Sequence, residues 1–146
     1  MIDNPCEEIK NQLSHPYIRE RQAALKKGEE ALRQGSPEAA EAAWREGLAR
    51  GEDSGLLYAL GALLFRQTRL AEAEEAFQRL ATRSPDLADG WYQLGLVRAA
   101  RGRYKDAVNA QRLAVSRSRA FGQAYCALAL ALRETGQSSE GLLMAQ

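Results

Sequence analysis

Hydrophobic positions along the chain fall into segments of about 12 to 16 residues, separated by clusters of turn-forming residues. Those clusters are Gly35-Ser36-Pro37, Gly51 to Ser54, Ser84-Pro85, Gly102, and Gly136 to Ser138. Within the segments Ala, Leu, Glu, Arg and Gln fill most positions, β-branched residues are few, and no Asn-Gly or Asp-Gly hairpin turn occurs. The pattern predicts helices throughout. Ser36-Pro37 and Ser84-Pro85 read as helix starts, an N-cap serine followed by a proline whose missing N–H costs nothing in the first turn. Gly35, Gly102 and Gly136 follow helix-like runs and suit the left-handed residue that ends a helix.

The segments also repeat. Leu60-Gly61, Leu94-Gly95 and Leu128-Ala129 recur at intervals of 34, as do Leu57, Trp91 and Tyr125, while Gly102 returns as Gly136 and Ala73 as Ala107. Earlier in the chain the interval is 33: Gly28 precedes Gly61, Ala40 precedes Ala73, and Trp44 precedes Phe77. Two antiparallel helices approach closely only where small residues sit at the crossing, so Gly28, Gly61 and Gly95 are expected opposite Ala40, Ala73 and Ala107. Trp44, Phe77 and Trp91, with Leu57, Leu60 and Leu94, are the expected core.

The run Trp91-Tyr92-Gln93-Leu94-Gly95, followed by Gly102, Tyr104 and Ala107, resembles the tetratricopeptide repeat. That resemblance implies an all-α fold, a right-handed α-α superhelix or solenoid of about three and a half helix-turn-helix repeats. The repeats are placed at about 21–53, 54–87 and 88–121, with a partial one at 122–146, after an N-terminal segment 1–20. Arg98 stands where the family often has an aromatic residue, and Gln111 departs from the pattern set by Trp44 and Phe77.

In repeats of this kind the first helix of each pair lines an inner groove. Carried onto this sequence, the groove positions are Leu25 and Glu29, then Tyr58, Ala62 and Phe65, then Tyr92, Gln93 and Leu96, and finally Cys126, Leu130 and Arg133. Family members that capture the acidic C-terminus of heat-shock chaperones line the groove with a clamp of lysine and asparagine, because a carboxylate needs several directed donors. These positions lack that clamp, and Tyr58, Tyr92, Leu96 and Leu130 suit an amphipathic helix or an extended apolar peptide.

Composition alters this picture little. The 146 residues carry 20 Lys plus Arg and 19 Asp plus Glu, and a net charge of +1 provides no global field to gather nucleic acid or a membrane. The charge is uneven: from Arg98 to Arg119 seven basic residues accompany one acid, Asp106, and read as a solvated face. Glu72, Glu74 and Glu75 read the same way.

Candidate chemistry is sparse. His15 is the single histidine, Cys6 and Cys126 form no CxxC pair, and no phosphate-binding glycine loop or nucleophile elbow is present, so no cofactor, metal site or enzyme activity is expected. The N-terminus has neither a basic start nor a long apolar run, which points to a cytoplasmic protein.

The two ends bear on partners. Asp3-Asn4-Pro5 can cap and start a short helix on which Ile9 and Leu13 form a stripe, to cap or extend the first helix of the repeats or to enter the groove, the alternative being a disordered segment. Leu142, Leu143 and Met144 lie in the last repeat with nothing after them to cover it, which points to a homo-oligomer through that end or to a fragment of a longer protein. The expected function is a scaffold or chaperone-like adaptor for a protein or peptide, similar in build to the chaperones of type III secretion translocators. The alternatives are the N-terminal recognition module of a larger bacterial enzyme and a homo-oligomerising assembly module.

Overall fold

The structure is a computed structural model that describes residues 4–7 and 16–136. Residues 5–7 form a helical turn, and the Cys6 N–H donates to Asn4 Oδ1 at 3.0 Å. Ile9, Leu13 and His15 lie outside the described residues, as do Leu142, Leu143 and Met144.

Seven long helices follow among the described residues: α1 (Pro16–Arg33), α2 (Pro37–Ala49), α3 (Ser54–Arg66), α4 (Leu70–Arg83), α5 (Ala88–Ala100), α6 (Tyr104–Arg117) and α7 (Gly122–Glu134). They form two compact units, Met1–Leu60 and Gly61–Gln146, with the division inside α3. In the first unit α1 packs on α2; in the second α4 packs on α5, α5 on α6, α6 on α7, and α7 also touches α5.

Helix ends follow the glycine signals. Gly35 (φ 80°) and Gly102 (φ 76°) are left-handed, and each closes a double hydrogen-bonded C-cap. Gly35 N–H donates to Leu32 O and Ser36 N–H to Ala31 O; Gly102 N–H donates to Ala99 O and Arg103 N–H to Arg98 O. The end of α3 has the same pair, Thr68 N–H to Phe65 O and Arg69 N–H to Leu64 O, but the left-handed residue is Thr68, at φ 61°. A β-branched residue is rare there because its Cβ crowds the backbone. The interval of 33 or 34 residues puts Thr68 where Gly35, Gly102 and Gly136 stand.

Of the two serine-proline starts, one holds. Pro37 opens α2 behind Ser36, although the serine side chain makes no capping bond. Ser84-Pro85 does not open a helix: Ser84 N–H ends α4 on Leu80 O, and a turn from Ser84 O to Leu87 N–H delays α5 until Ala88.

The first unit is built on Ala40, Trp44, Leu48, Leu56, Leu57 and Leu60. The second is built on Leu64, Phe77, Leu80, Leu94, Val97, Ala107, Leu128 and Leu132. Trp91, expected in the core, is half-buried, because its indole N–H reaches out to the Pro85 carbonyl at 2.8 Å.

The tight crossings differ from the expectation by one helical turn. The groups closest to the glycines are Trp44, Phe77 and Gln111, not Ala40, Ala73 and Ala107. A Cβ on Gly28 would lie 2.1 Å from Trp44 Nε1, one on Gly61 2.8 Å from the Phe77 ring, and one on Gly95 2.2 Å from Gln111 Nε2. The glycines make room for a large side chain from the second helix of each pair, while the alanines one turn earlier lie fully buried.

Candidate functional site

The expected groove residues are half-buried or exposed rather than part of the core. In the unit Met1–Leu60, Leu25 and Tyr58 are half-buried and Glu29 is exposed. In the unit Gly61–Gln146, Ala62 and Phe65 on α3 and Tyr92, Gln93 and Leu96 on α5 are half-buried, while Cys126, Leu130 and Arg133 on α7 are exposed.

Two of these are brought to one pocket. Leu96 and Leu130 face an open cavity of about 300 Å³ between α5 and α7, walled also by Ala99 and Ala127 and floored by α6 through Tyr104 and Gln111. Leu130, in the lining of that cavity, is 56 % exposed. The charged group in its lining is Glu134.

Tyr92 is shaped by Phe121, which the sequence did not single out, and by Cys126, which it did. Its ring meets Phe121 edge-on, with centroids 4.8 Å apart, a favoured aromatic geometry. Burial, followed by the charges of Asp89 and Cys126, pushes the phenol above its ordinary pKa, so Tyr92 stays a neutral hydrogen-bonding group. Phe121 stands immediately before α7, 34 residues after Leu87, which stands immediately before α5.

The floor residue Gln111 is fully buried. Its Nε2 donates to the Tyr92 carbonyl at 3.0 Å, and its Oε1 has no hydrogen-bond partner among the described residues. In the first unit the Trp44 indole N–H makes the same kind of bond, 3.2 Å to the Leu25 carbonyl. Leu25 and Tyr92 each precede the crossing glycine by one helical turn, so the glutamine reproduces the indole's bond with a smaller side chain.

Part of the basic stretch is not a solvated face. Glu74 on α4, 8 % exposed, gathers Arg98, Arg101 and Arg103. Arg98 Nε lies 3.3 Å from Oε1, Arg103 Nη1 is 2.8 Å from Oε1 and 3.0 Å from Oε2, and Arg101 Nη1 pairs with Oε2. Arg103 also pairs with Asp106 at 2.8 Å, and Arg98 donates to Gln78 Oε1 at 2.8 Å. Arg98, standing where the family often has an aromatic, ties α5 to α4 with charge instead of a ring.

In the first unit Arg21 plays a comparable part. It is buried, its guanidinium lies 3.5 Å from the centroid of the Tyr17 ring, and its Nη1 donates to the carbonyls of Gly51 and Glu52 at 2.6 and 2.8 Å. It holds the turn between α2 and α3 against α1.

Among the described residues no group of three or more His, Cys, Asp or Glu could hold a metal ion, and no helix is long and apolar enough to cross a membrane.

Comparison with curated proteins gives no match. The tetratricopeptide repeat profile matches residues 25–88 and 58–125. Among solved structures, a crystal structure of MamA aligns with a TM-score of 0.79 at 25 % identity over 93 % of this chain and 80 % of that one. A second MamA structure aligns with a TM-score of 0.78 at 26 % identity over 85 % of this chain and 68 % of that one. An O-GlcNAc transferase of Thermobaculum terrenum aligns with a TM-score of 0.70 at 25 % identity over 82 % of this chain but only 23 % of its own. The two profile matches together run from residue 25 to 125, more than half of the sequence, and the chain belongs to the tetratricopeptide repeat family of α-solenoid helical repeats.

Proposed function

We propose that the protein is a scaffold that holds another protein through an apolar peptide or amphipathic helix. The observation that carries this reading is the open cavity of about 300 Å³ between α5 and α7, with Leu96 in its wall and Leu130 standing 56 % exposed at its edge. An exposed leucine over an apolar recess is the arrangement that accepts an apolar anchor. Membership of the repeat family and likeness to MamA support protein binding as the general role.

The test is selection of binding peptides from a random library on the folded chain, followed by affinity measurement on variants. Leu130→Asp places a charge at the cavity edge on an exposed position and is expected to weaken selected peptides about tenfold or more, equal to about 1.4 kcal/mol, with helicity unchanged. Tyr92→Ala is expected to act in the same direction by more than about 1 kcal/mol. Peptides bound equally by both variants would place binding elsewhere.

A second reading is that of a recognition module belonging to a larger enzyme. It is favoured by the alignment to O-GlcNAc transferase, where the likeness occupies 23 % of the enzyme chain. Assembly with further copies of this chain is the third reading, and light scattering over a range of concentrations separates it from the first: a constant monomer mass excludes it.

A further inference from the structure

The groove between α5 and α7 has an acid at each end. Residues 34 apart face each other across it: the Tyr92 phenol feels the charge of Cys126, and Leu96 and Leu130 share the cavity. Asp89, Tyr92, Leu96 and Ala99 follow one another at helical spacing along α5, as Ala127, Leu130 and Glu134 do along α7. Asp89 stands in the first turn of α5, and Glu134 is the last residue of α7. By the same interval Glu134 is level with Ala100, about three turns or 16 Å beyond Asp89 at 1.5 Å per residue.

Neither carboxylate has a hydrogen bond or an ion pair among the described residues. Asp89 is half-buried, and its charge reaches the Tyr92 phenol. In a first turn it also suits the helix dipole, but Glu134 does the reverse, because the carbonyls at a helix C-terminus are partly negative and disfavour an acid there. Glu134 thus adds no stability to α7, whereas a cation brought to it relieves the unfavourable charges. Arg133, its neighbour in sequence, does not wall the cavity.

The walls decide the backbone of the occupant. An extended segment brings an N–H and a C=O at every residue, and these must be paired once water is excluded. The side chains of Leu96, Ala99, Ala127 and Leu130 have nothing to pair them with. A helix bonds its own backbone and presents side chains alone. Resting on the reading of this groove as the protein-binding site, we infer that its partner is a basic amphipathic helix: an apolar stripe lies on Leu96 and Leu130, and two lysines or arginines about three turns apart meet Asp89 and Glu134.

The experiment titrates the full chain, isotope-labelled for NMR, with a capped alanine-rich peptide of about 16 residues, long enough to form a helix in water. The peptide has leucines along one face and a lysine at each end of that stripe, about three turns apart. Three further peptides replace both lysines by glutamine, replace both by glutamate, or place a proline in the middle of the stripe. The lysine peptide is expected to shift the signals of Leu96, Ala99, Ala127 and Leu130. The glutamate peptide is expected to bind about tenfold or more weakly at low salt, the difference fading as salt screens the two acids. The proline peptide is expected to lose binding, since its helix is broken.

Asp89→Asn and Glu134→Gln are each expected to weaken the lysine peptide about twofold to fivefold and to leave the glutamine peptide unchanged, which separates lost charge from a damaged fold. Equal affinity for the lysine and glutamate peptides at low salt would overturn the inference. So would full affinity of the lysine peptide for the double variant, or undiminished binding of the proline peptide. Library-selected peptides that depend on Leu130 but are acidic would overturn it while leaving the general peptide-binding role intact. A lysine peptide that binds Leu130→Asn as tightly as the parent chain would overturn both.

Discussion

Gln111 donates to the Tyr92 carbonyl across a crossing where Gly95 has no side chain, the place that the Trp44 indole fills beside Gly28. The two contacts share a geometry but differ in stiffness: a glutamine can swing its amide aside, whereas a packed indole cannot.

Gly28→Ala should therefore destabilise the protein more than Gly95→Ala. The added Cβ would fall 2.1 Å from Trp44 Nε1 in one case and 2.2 Å from Gln111 Nε2 in the other. Overpacking against a fixed ring costs on the order of 1–3 kcal/mol, offset only in part by the roughly 0.5–1 kcal/mol that alanine gains over glycine in a helix. Urea unfolding of the two variants side by side checks this; equal midpoints would mean that the indole yields as readily as the amide.

Thr68→Gly should stabilise the chain. Thr68 is held at φ 61° in a C-cap whose hydrogen bonds match those at Gly35 and Gly102. Relief of the left-handed cost, about 1–2 kcal/mol, exceeds the extra backbone freedom that glycine brings to the unfolded chain, about 0.4–1 kcal/mol. A rise in melting temperature is expected, and a fall would show that the threonine side chain makes up for its backbone.

Glu74→Gln should remove the negative centre shared by Arg98, Arg101 and Arg103. Breaking a fully buried pair costs about 3–5 kcal/mol, but Arg101 and Arg103 are partly solvated, so a loss of about 1–3 kcal/mol is expected. The loss should shrink when Arg103→Ala is added, since one of the stranded charges is then gone. A double-mutant cycle on unfolding free energies measures that coupling, and strictly additive losses would mean that Arg103 and Glu74 do not act together.

Arg21→Lys should not be a neutral change. The Arg21 guanidinium reaches two carbonyls from one nitrogen while facing the Tyr17 ring, and a lysine ammonium lacks the planar group that does both. A loss of about 1–2 kcal/mol is expected, together with faster hydrogen exchange in the turn from Gly51 to Asp53. Unchanged exchange there would show that the turn holds without the clamp.

The repeat was legible because helix-pair packing imposes a period, and Gly28, Gly61 and Gly95 mark that period in plain sight. Their partners were misread by one turn, since small residues at Ala40, Ala73 and Ala107 look like the obvious match although the glycines receive Trp44, Phe77 and Gln111. Glu74 was read as solvated because its three arginines lie 24 to 29 residues away, on α5 and the turn after it, and no local pattern links them. Thr68 escaped notice for a related reason: a missing glycine leaves no signal in the sequence, while the hydrogen bonds of the C-cap persist. Of the candidate site, Leu96 and Leu130 were reached through helical spacing, but the cavity between them also depends on Gln111 and Ala127, whose place becomes visible only when α5, α6 and α7 are packed.

The two tryptophans are divided between the two units, with Trp44 buried in Met1–Leu60 and Trp91 half-buried in Gly61–Gln146. Each unit thus contains its own fluorophore, one in a dry setting and one hydrogen-bonded to a turn carbonyl. Trp44→Phe copies the residue already present at Phe77 and leaves Trp91 as the sole tryptophan, while Trp91→Phe leaves Trp44. A pair of such variants turns ordinary emission spectra into separate melting curves for the two halves of the protein.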